Sequence, residues 1–146
     1  MTTVAYRDGV MAADSLVTGH GVRMGSLAKL VRAKDGTIGG AAGNTLDSAR
    51  LLRWVGLMGA DCRNADVPRS EDKDTSVLIA YPDGSVEWIG GHDGRVIVDA
   101  GFHAIGSGGE LALGAMAFGA TAEQAVEIAC RFDVWSGGPV QVLNHG

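Results

Sequence analysis

Thr3-Val4-Ala5-Tyr6 and Val10-Met11-Ala12-Ala13-Asp14 flank Arg7-Asp8-Gly9. Two short apolar runs around an Asp-Gly step form the strongest local signal for an antiparallel hairpin. The arrangement recurs twice. Leu27 to Ala33 and Thr37 to Ala42 flank Lys34-Asp35-Gly36, and Thr75 to Tyr81 and Ser85 to Ile89 flank Pro82-Asp83-Gly84. Arg95 to Asp99, Phe102 to Ile105 and Val140 to Leu143 read as further strands. Helical period appears over Thr45 to Met58 behind an Asn44/Thr45 cap and over Glu110 to Phe118, closed by Gly119. A third helix spans Ala122 to Asp133 behind Thr121, with Gln124 completing a capping box. Strands and helices do not alternate, so a parallel doubly wound sheet is excluded. The order implies an α+β fold of antiparallel sheets covered by segregated helices. Between Gly59 and Asp74 the sequence turns polar and reads as a solvated loop or frayed turn.

A chain of 146 residues, 46% hydrophobic and 20% charged, builds one domain, residues 1–146, with a core of its own. Its 23 glycines have no three-residue period, which excludes collagen. A net charge of −5 with no basic stretch argues against nucleic acid. The longest nearly apolar stretch, Leu111 to Ala120, is half of what a bilayer needs, and Met1-Thr2-Thr3 lacks the features of an export signal. A cytoplasmic protein without membrane partners is expected. Cys62 and Cys130 stand apart and the four histidines are scattered, so free thiols and no metal site are expected. Gly39 to Asn44 matches neither a P-loop nor GxGxxG, and no cofactor is expected. This segment either lets a helix approach a sheet closely or offers backbone N–H groups to a developing negative charge.

Three charged residues sit where apolar ones belong. Alternation in Leu27 to Ala33 puts Lys29 on a face with Leu27 and Val31, and a lysine there must be paired or lose its charge. Asp14 ends an apolar strand; if Arg7-Asp8-Gly9 is a three-residue loop, Thr2 lies opposite it. Asp133 falls on the apolar arc of the last helix with Ala122, Val126 and Ala129, at a C-terminus whose dipole disfavours a carboxylate. Singly, each reads as a satisfied internal polar residue; together they point to a shared site.

Thr2-Thr3-Val4, Ala12-Ala13-Asp14-Ser15, Lys29, Gly40 to Gly43, Ala104-Ile105-Gly106-Ser107-Gly108-Gly109 and Asp133-Val134-Trp135-Ser136-Gly137 follow one another in this order. The ordered set resembles the proteasome β-type, HslV-like N-terminal-nucleophile (Ntn) hydrolases, and the short form resembles phage and prophage members. The resemblance implies a four-layer αββα sandwich with a truncated second helix, because the polar segment Gly59 to Asp74 stands where the family has a long helix. It also implies a threonine peptidase in which Thr2, once Met1 is removed, attacks a peptide carbonyl while its own α-amine takes the proton. Lys29 would lower the pKa values at Thr2, and Asp14 would keep Lys29 ionised. Ser107, Asp133 and Ser136 would orient the amine, and the Gly40 N–H would bind the oxyanion. The competing reading is a non-catalytic scaffold or assembly subunit.

On the wheel of the first helix Leu51, Leu52, Val55 and Met58 form the inward arc, opposite Asp47, Arg50 and Arg53. Leu46, Trp54 and Leu57 fall among those charges, the composition of an interface centre. A homo-oligomer with this face at a subunit contact is expected, unless Trp54 tucks under the segment after Gly59. The resemblance adds a ring, peptide or unfolded-protein substrates and an ATP-dependent unfoldase partner.

Overall fold

A computed structural model describes residues 2–90 and 94–146. The first hairpin joins β1 (Thr3–Arg7) to β2 (Val10–Ala13). Its turn differs from the expected three-residue loop. Asp8 and Gly9 both take positive φ, 52° and 80°, the two-residue turn whose twist matches the flanking strands. Arg7 therefore pairs with Val10 and Val4 with Ala13, and it is Thr3 that faces Asp14, whose N–H donates to the Thr3 carbonyl at 3.1 Å. This register puts Val4, Tyr6, Met11 and Ala13 in one cluster between the sheets.

The other two Asp-Gly hairpins join β5 (Leu30–Arg32) to β6 (Ile38–Ala42) and β7 (Ser76–Ala80) to β8 (Val86–Gly90). With β9 (Gly94–Val98) they make a five-stranded sheet in the order β5-β6-β7-β8-β9. The second sheet, β10-β1-β2-β11, adds β10 (Phe102–Gly106) and β11 (Gln141–Asn144). A further hairpin, β3 (Leu16–Gly19) and β4 (Val22–Ser26), turns on His20-Gly21. It was not read from the sequence because β4 is exposed along its whole length and so carries no burial alternation.

The sheets pack face to face through Val4, Met11, Ile38, Leu78 and Ile105. Helices α2 (Gly109–Ala117) and α3 (Ala122–Phe132) cover the four-stranded sheet. Alanines at 5, 12, 104, 112, 122 and 125 form most of that contact, so the helices lie close to the strands. Helix α1 (Thr45–Met58) covers the five-stranded sheet through Leu51 and Val55. Four αββα layers result, with one long helix on one side and two on the other.

Asn44 caps α1 by accepting from the Leu46 and Asp47 N–H groups, and the Thr121–Gln124 capping box opens α3. Asp133 is the C-cap of α3 rather than its last turn, in an extended conformation. Three expectations for α1 are corrected. Met58, expected on the inward arc, is exposed. Asp47 is buried, because the later segment closes over it: the Ser70 hydroxyl and Asp72 N–H donate to its Oδ2 at 3.0 and 3.1 Å. Trp54 is half-buried and packs, like Ala60 and Val67, against the core cluster under α1, whereas Leu46 and Leu57 remain exposed.

The polar stretch after α1 is a docked cover rather than a solvated loop. It opens with a 3-10 helix, Gly59–Asn64, that buries Cys62 completely. Arg95 holds it by donating to the carbonyls of Cys62 and Ala65 at 2.6 and 2.8 Å, and reaches Glu87 through two bonds of 2.8 and 2.9 Å. Glu87 also accepts from the buried Tyr81 hydroxyl at 2.6 Å. Burial raises the Glu87 carboxyl, but the bonds from Arg95 and Tyr81 outweigh it and hold it below the usual range. Among the described residues no helix is long and apolar enough to cross a membrane.

Glu87→Ala leaves the buried Tyr81 hydroxyl without its acceptor and the Arg95 guanidinium without its counter-charge, holding only the Cys62 and Ala65 carbonyls, so about 2–3 kcal/mol of stability should be lost. Urea unfolding checks this, and a loss within experimental error of zero would contradict the anchoring role.

Candidate active site

Asp14 is fully buried and its carboxylate is saturated. Oδ1 accepts from Lys29 Nζ at 2.9 Å and the Thr3 N–H at 3.0 Å, and Oδ2 accepts from the N–H groups of Gly137 and Leu16 at 3.1 and 3.2 Å. Lys29 stands just ahead of β5, 6% exposed, and also donates to the Leu16 carbonyl at 2.7 Å. Burial draws its ammonium below the ordinary lysine value, while Asp14 opposes the shift. The strand is shorter than the expected Leu27 to Ala33, so Lys29 lies outside it and Leu27 is exposed; Leu30 enters the core between the sheets, Val31 packs on the α1 side, and Lys29 lines a cleft with Thr2 and Ala41.

A second network starts from Asp133. Its Oδ2 accepts from the hydroxyls of Ser107 and Ser136, both at 2.6 Å, and its Oδ1 from the Trp135 N–H at 3.3 Å. Burial raises the Asp133 carboxyl, but these donors prevail and hold it below the usual carboxylate range. The Ser107 hydroxyl also lies 3.4 Å from the Thr2 carbonyl, while Ser136 Oγ is 2.7 Å from Thr3 Oγ1. Since Ser107 has one proton and favours the shorter partner, its approach to Thr2 is the secondary contact.

Thr2 is 5% exposed and lines two clefts, one floored by Lys29 and the other running past Gly106 and Ser107. Its position depends on missing side chains. A Cβ on Gly106, at φ 95°, would fall on the Thr2 carbonyl, and one on Gly108 would fall on Thr3 Oγ1. The Ala104 to Gly109 run thus lets two strands' ends approach within backbone contact.

The structure brings Thr2, Asp14, Lys29, Ser107, Asp133 and Ser136 to one end of the sandwich. Gly40 does not join them. It lies mid-strand, paired with Leu30 and Leu78, and the space beside it is filled by Val4, Leu30 and Met11. The glycine that reaches both clefts is Gly43, after the last residue of β6 and just before the α1 cap. At φ 126°, with Thr75 2.5 Å from where a Cβ would stand, it can only be glycine. Thr3 and Gly137 were also missed. Both contact Asp14 through backbone N–H groups, which leave no mark on residue type.

Linkage fixes the sign of the Asp133 contribution. Its pKa is lower in the folded state than in the unfolded chain, so its stabilisation is present above the ordinary carboxylate pKa and is lost as pH falls through the folded value. The gap in urea midpoint between the parent and Asp133→Asn should therefore be widest near about pH 6 and shrink toward about pH 3. A gap constant across that range is incompatible with this origin.

No protein-family model and no curated protein matches the sequence. Solved structures do match over nearly the whole chain. BPH of Thiobacillus denitrificans in complex with Epoxomicin aligns with a TM-score of 0.68 at 24% identity, covering 99% of this chain and 98% of that one. A second structure of Thiobacillus denitrificans BPH gives 0.65 at 23% over the same shares. Eukaryotic HslV from Trypanosoma brucei gives 0.69 at 23%, covering 99% of both chains. With TM-scores of 0.65–0.69 over nearly the whole of each chain, the fold of this chain is the HslV-like, proteasome β-type fold.

Proposed function

We propose that this chain is a threonine-type N-terminal-nucleophile peptidase, acting through Thr2 after removal of Met1. The observation that carries the reading is Thr2 at the junction of two clefts, with the Lys29–Asp14 pair beside it and the Ser107–Asp133–Ser136 network against the same chain end. Thr2 Oγ1 forms a bond to the peptide carbonyl carbon and its proton passes to the Thr2 α-amine. The C–N bond then breaks as that proton moves to the leaving nitrogen, leaving an ester on Thr2. Water adds to the ester, again giving its proton to the amine, and Oγ1 departs with a proton to complete the cycle.

A free α-amine titrates near about 8, so it serves as base close to neutral pH. Lys29 adds positive charge in the cleft wall that Thr2 shares. Ser107 and Asp133 position the chain end, and Ser136 acts one step further away through Thr3. The oxyanion is assigned to the Gly43 N–H, at the positive end of the α1 dipole; the N–H groups of Asn44, Leu46 and Asp47 are already taken by Thr75 and the Asn44 cap. A chain that keeps Met1 has no free amine at Thr2 and fits the scaffold reading, which the near-complete burial of Thr2 favours.

The reading includes assembly of copies of this chain, in a ring that receives unfolded protein from an ATP-dependent unfoldase in the cytoplasm. Leu46 and Leu57, 75% and 76% exposed on α1, support a contact at that helix. Trp54 is already half-covered within the chain, so Leu57 is the cleaner probe. Sedimentation of Leu57→Glu should show smaller species than the parent at unchanged helical content; a parent that is monomeric at micromolar concentration contradicts the assembly.

Mass measurement should find Met1 absent from active protein. Thr2→Ala should abolish peptide hydrolysis and leave the circular dichroism spectrum unchanged, while a chelator leaves the rate intact. Epoxomicin, bound in the Thiobacillus structure, should protect the parent against thermal unfolding and fail to protect Thr2→Ala. Undiminished hydrolysis by Thr2→Ala, or full activity in chains retaining Met1, would falsify the mechanism.

A further inference from the structure

The two clefts that meet at Thr2 differ in chemistry. The smaller is walled by Leu16, Leu27, Ala28, Ala49 and Leu52, with the Ser48 hydroxyl left unpartnered among the described residues. It suits an uncharged side chain of modest size. The larger, of about 1020 Å³, carries the carboxylates of Asp72, Asp74 and Glu110, and neither lysine nor arginine occurs among the described residues that line it.

These carboxylates are not equivalent. Asp72 accepts from the Asp74 N–H at 3.0 Å and from Thr75 Oγ1 at 3.1 Å, so it serves the local turn. Asp74 and Glu110 are exposed, and neither side chain takes part in a hydrogen bond or ion pair among the described residues. His103 stands in the same wall, and burial pulls its pKa below the ordinary histidine value, which keeps it neutral at pH 7 and above. Two indoles complete the wall: Trp88 and Trp135 are 41% and 44% exposed. Half-exposed indoles, with the His103 ring 5.7 Å from that of Trp88, stand in one wall with unpaired carboxylates and favour an organic cation, through the ring quadrupole and direct charge attraction together.

We propose that the larger cleft receives a basic segment of the substrate, a lysine or arginine side chain near the bond presented to Thr2. Asp74 and Glu110 are its specificity-determining carboxylates, and Trp88 and Trp135 form the surface it lies on. The proposal rests on the peptidase reading for its substrate class. The chain's net charge of −5 adds a long-range attraction of the same sign.

The test uses binding, so that it does not depend on turnover. Thr2→Ala protein is titrated into two labelled peptides of equal length with one shared apolar centre, the first flanked by lysine and arginine, the second by glutamate. The basic peptide should bind at least about tenfold more tightly at low salt, and the advantage should shrink at about 0.5 M salt. Adding Asp74→Asn and Glu110→Gln should bring the two affinities to within about twofold at an unchanged circular dichroism spectrum. Equal binding of the two peptides, no measurable binding of either, or a preference that survives the double substitution overturns the assignment. Hydrolysis by the parent separates the two ideas. A preference in binding with neither peptide cleaved sinks the peptidase reading alone, whereas cleavage of both without preference sinks the cleft assignment alone.

Discussion

One buried carboxylate sets the geometry of the whole end of the sandwich. Asp14 gathers the start of β1, the turn before β3, the lysine ahead of β5 and the loop after α3, all through donors at 2.9–3.2 Å. An isolated carboxylate in such a place would neutralise itself or unfold its surroundings. With four donors, one of them an ammonium, it becomes a joint instead. Segments from 3 to 137 in the sequence are thereby held in a fixed relation that apolar packing, which is tolerant of small slips, does not impose. The Lys29 side chain is the costly member of this joint. Burial works against its charge, and the Asp14 contact works back.

Around this joint the site is made from backbone as much as from side chains. Gly106 and Gly108 let β10 and the loop after it touch the chain's first residues, and Gly43 lets β6 turn into α1 against Thr75. Asp133 then ties the far end of α3 to the same place through two serine hydroxyls. The β10–α2 and β6–α1 passages are thus fixed by glycines, and the passage after α3 by the Asp133 carboxylate. The clefts on either side of Thr2 are what remains open between these fixed passages.

What the sequence revealed follows from how local each signal is. Asp-Gly turns, the Asn44 cap and the Thr121–Gln124 box depend on a handful of neighbouring residues, and all of them are in the structure. Lys29, Asp14 and Asp133 were legible because a charge among apolar residues demands a partner, although Lys29 lies just outside β5 and Asp133 is an extended cap rather than part of the helical arc. Register was less legible. A three-residue loop and a two-residue turn at Asp8-Gly9 use the same letters, and the difference moved Thr3 rather than Thr2 opposite Asp14. The orientation of Asp47 was hidden for another reason: its partners, Ser70 and Asp72, arrive from 23 and 25 residues away. Gly40 and Gly43 are alike in sequence, and only the end of β6 distinguishes a glycine packed in the sheet from one at the cleft.

The cover over α1 and the five-stranded sheet gives the molecule a chemical clock. Cys62 is wholly enclosed beneath it, and burial pushes its thiol up to about 12, so scarcely any thiolate exists at neutral pH. An alkylating reagent therefore meets this sulfur only in molecules whose 3-10 turn has lifted away from Arg95 and Tyr81. When reclosing is fast, the labelling rate equals the intrinsic thiol rate multiplied by the fraction of time the cover is open. Cys62 thus converts the strength of a few surface anchors into a reaction half-life, without any added probe.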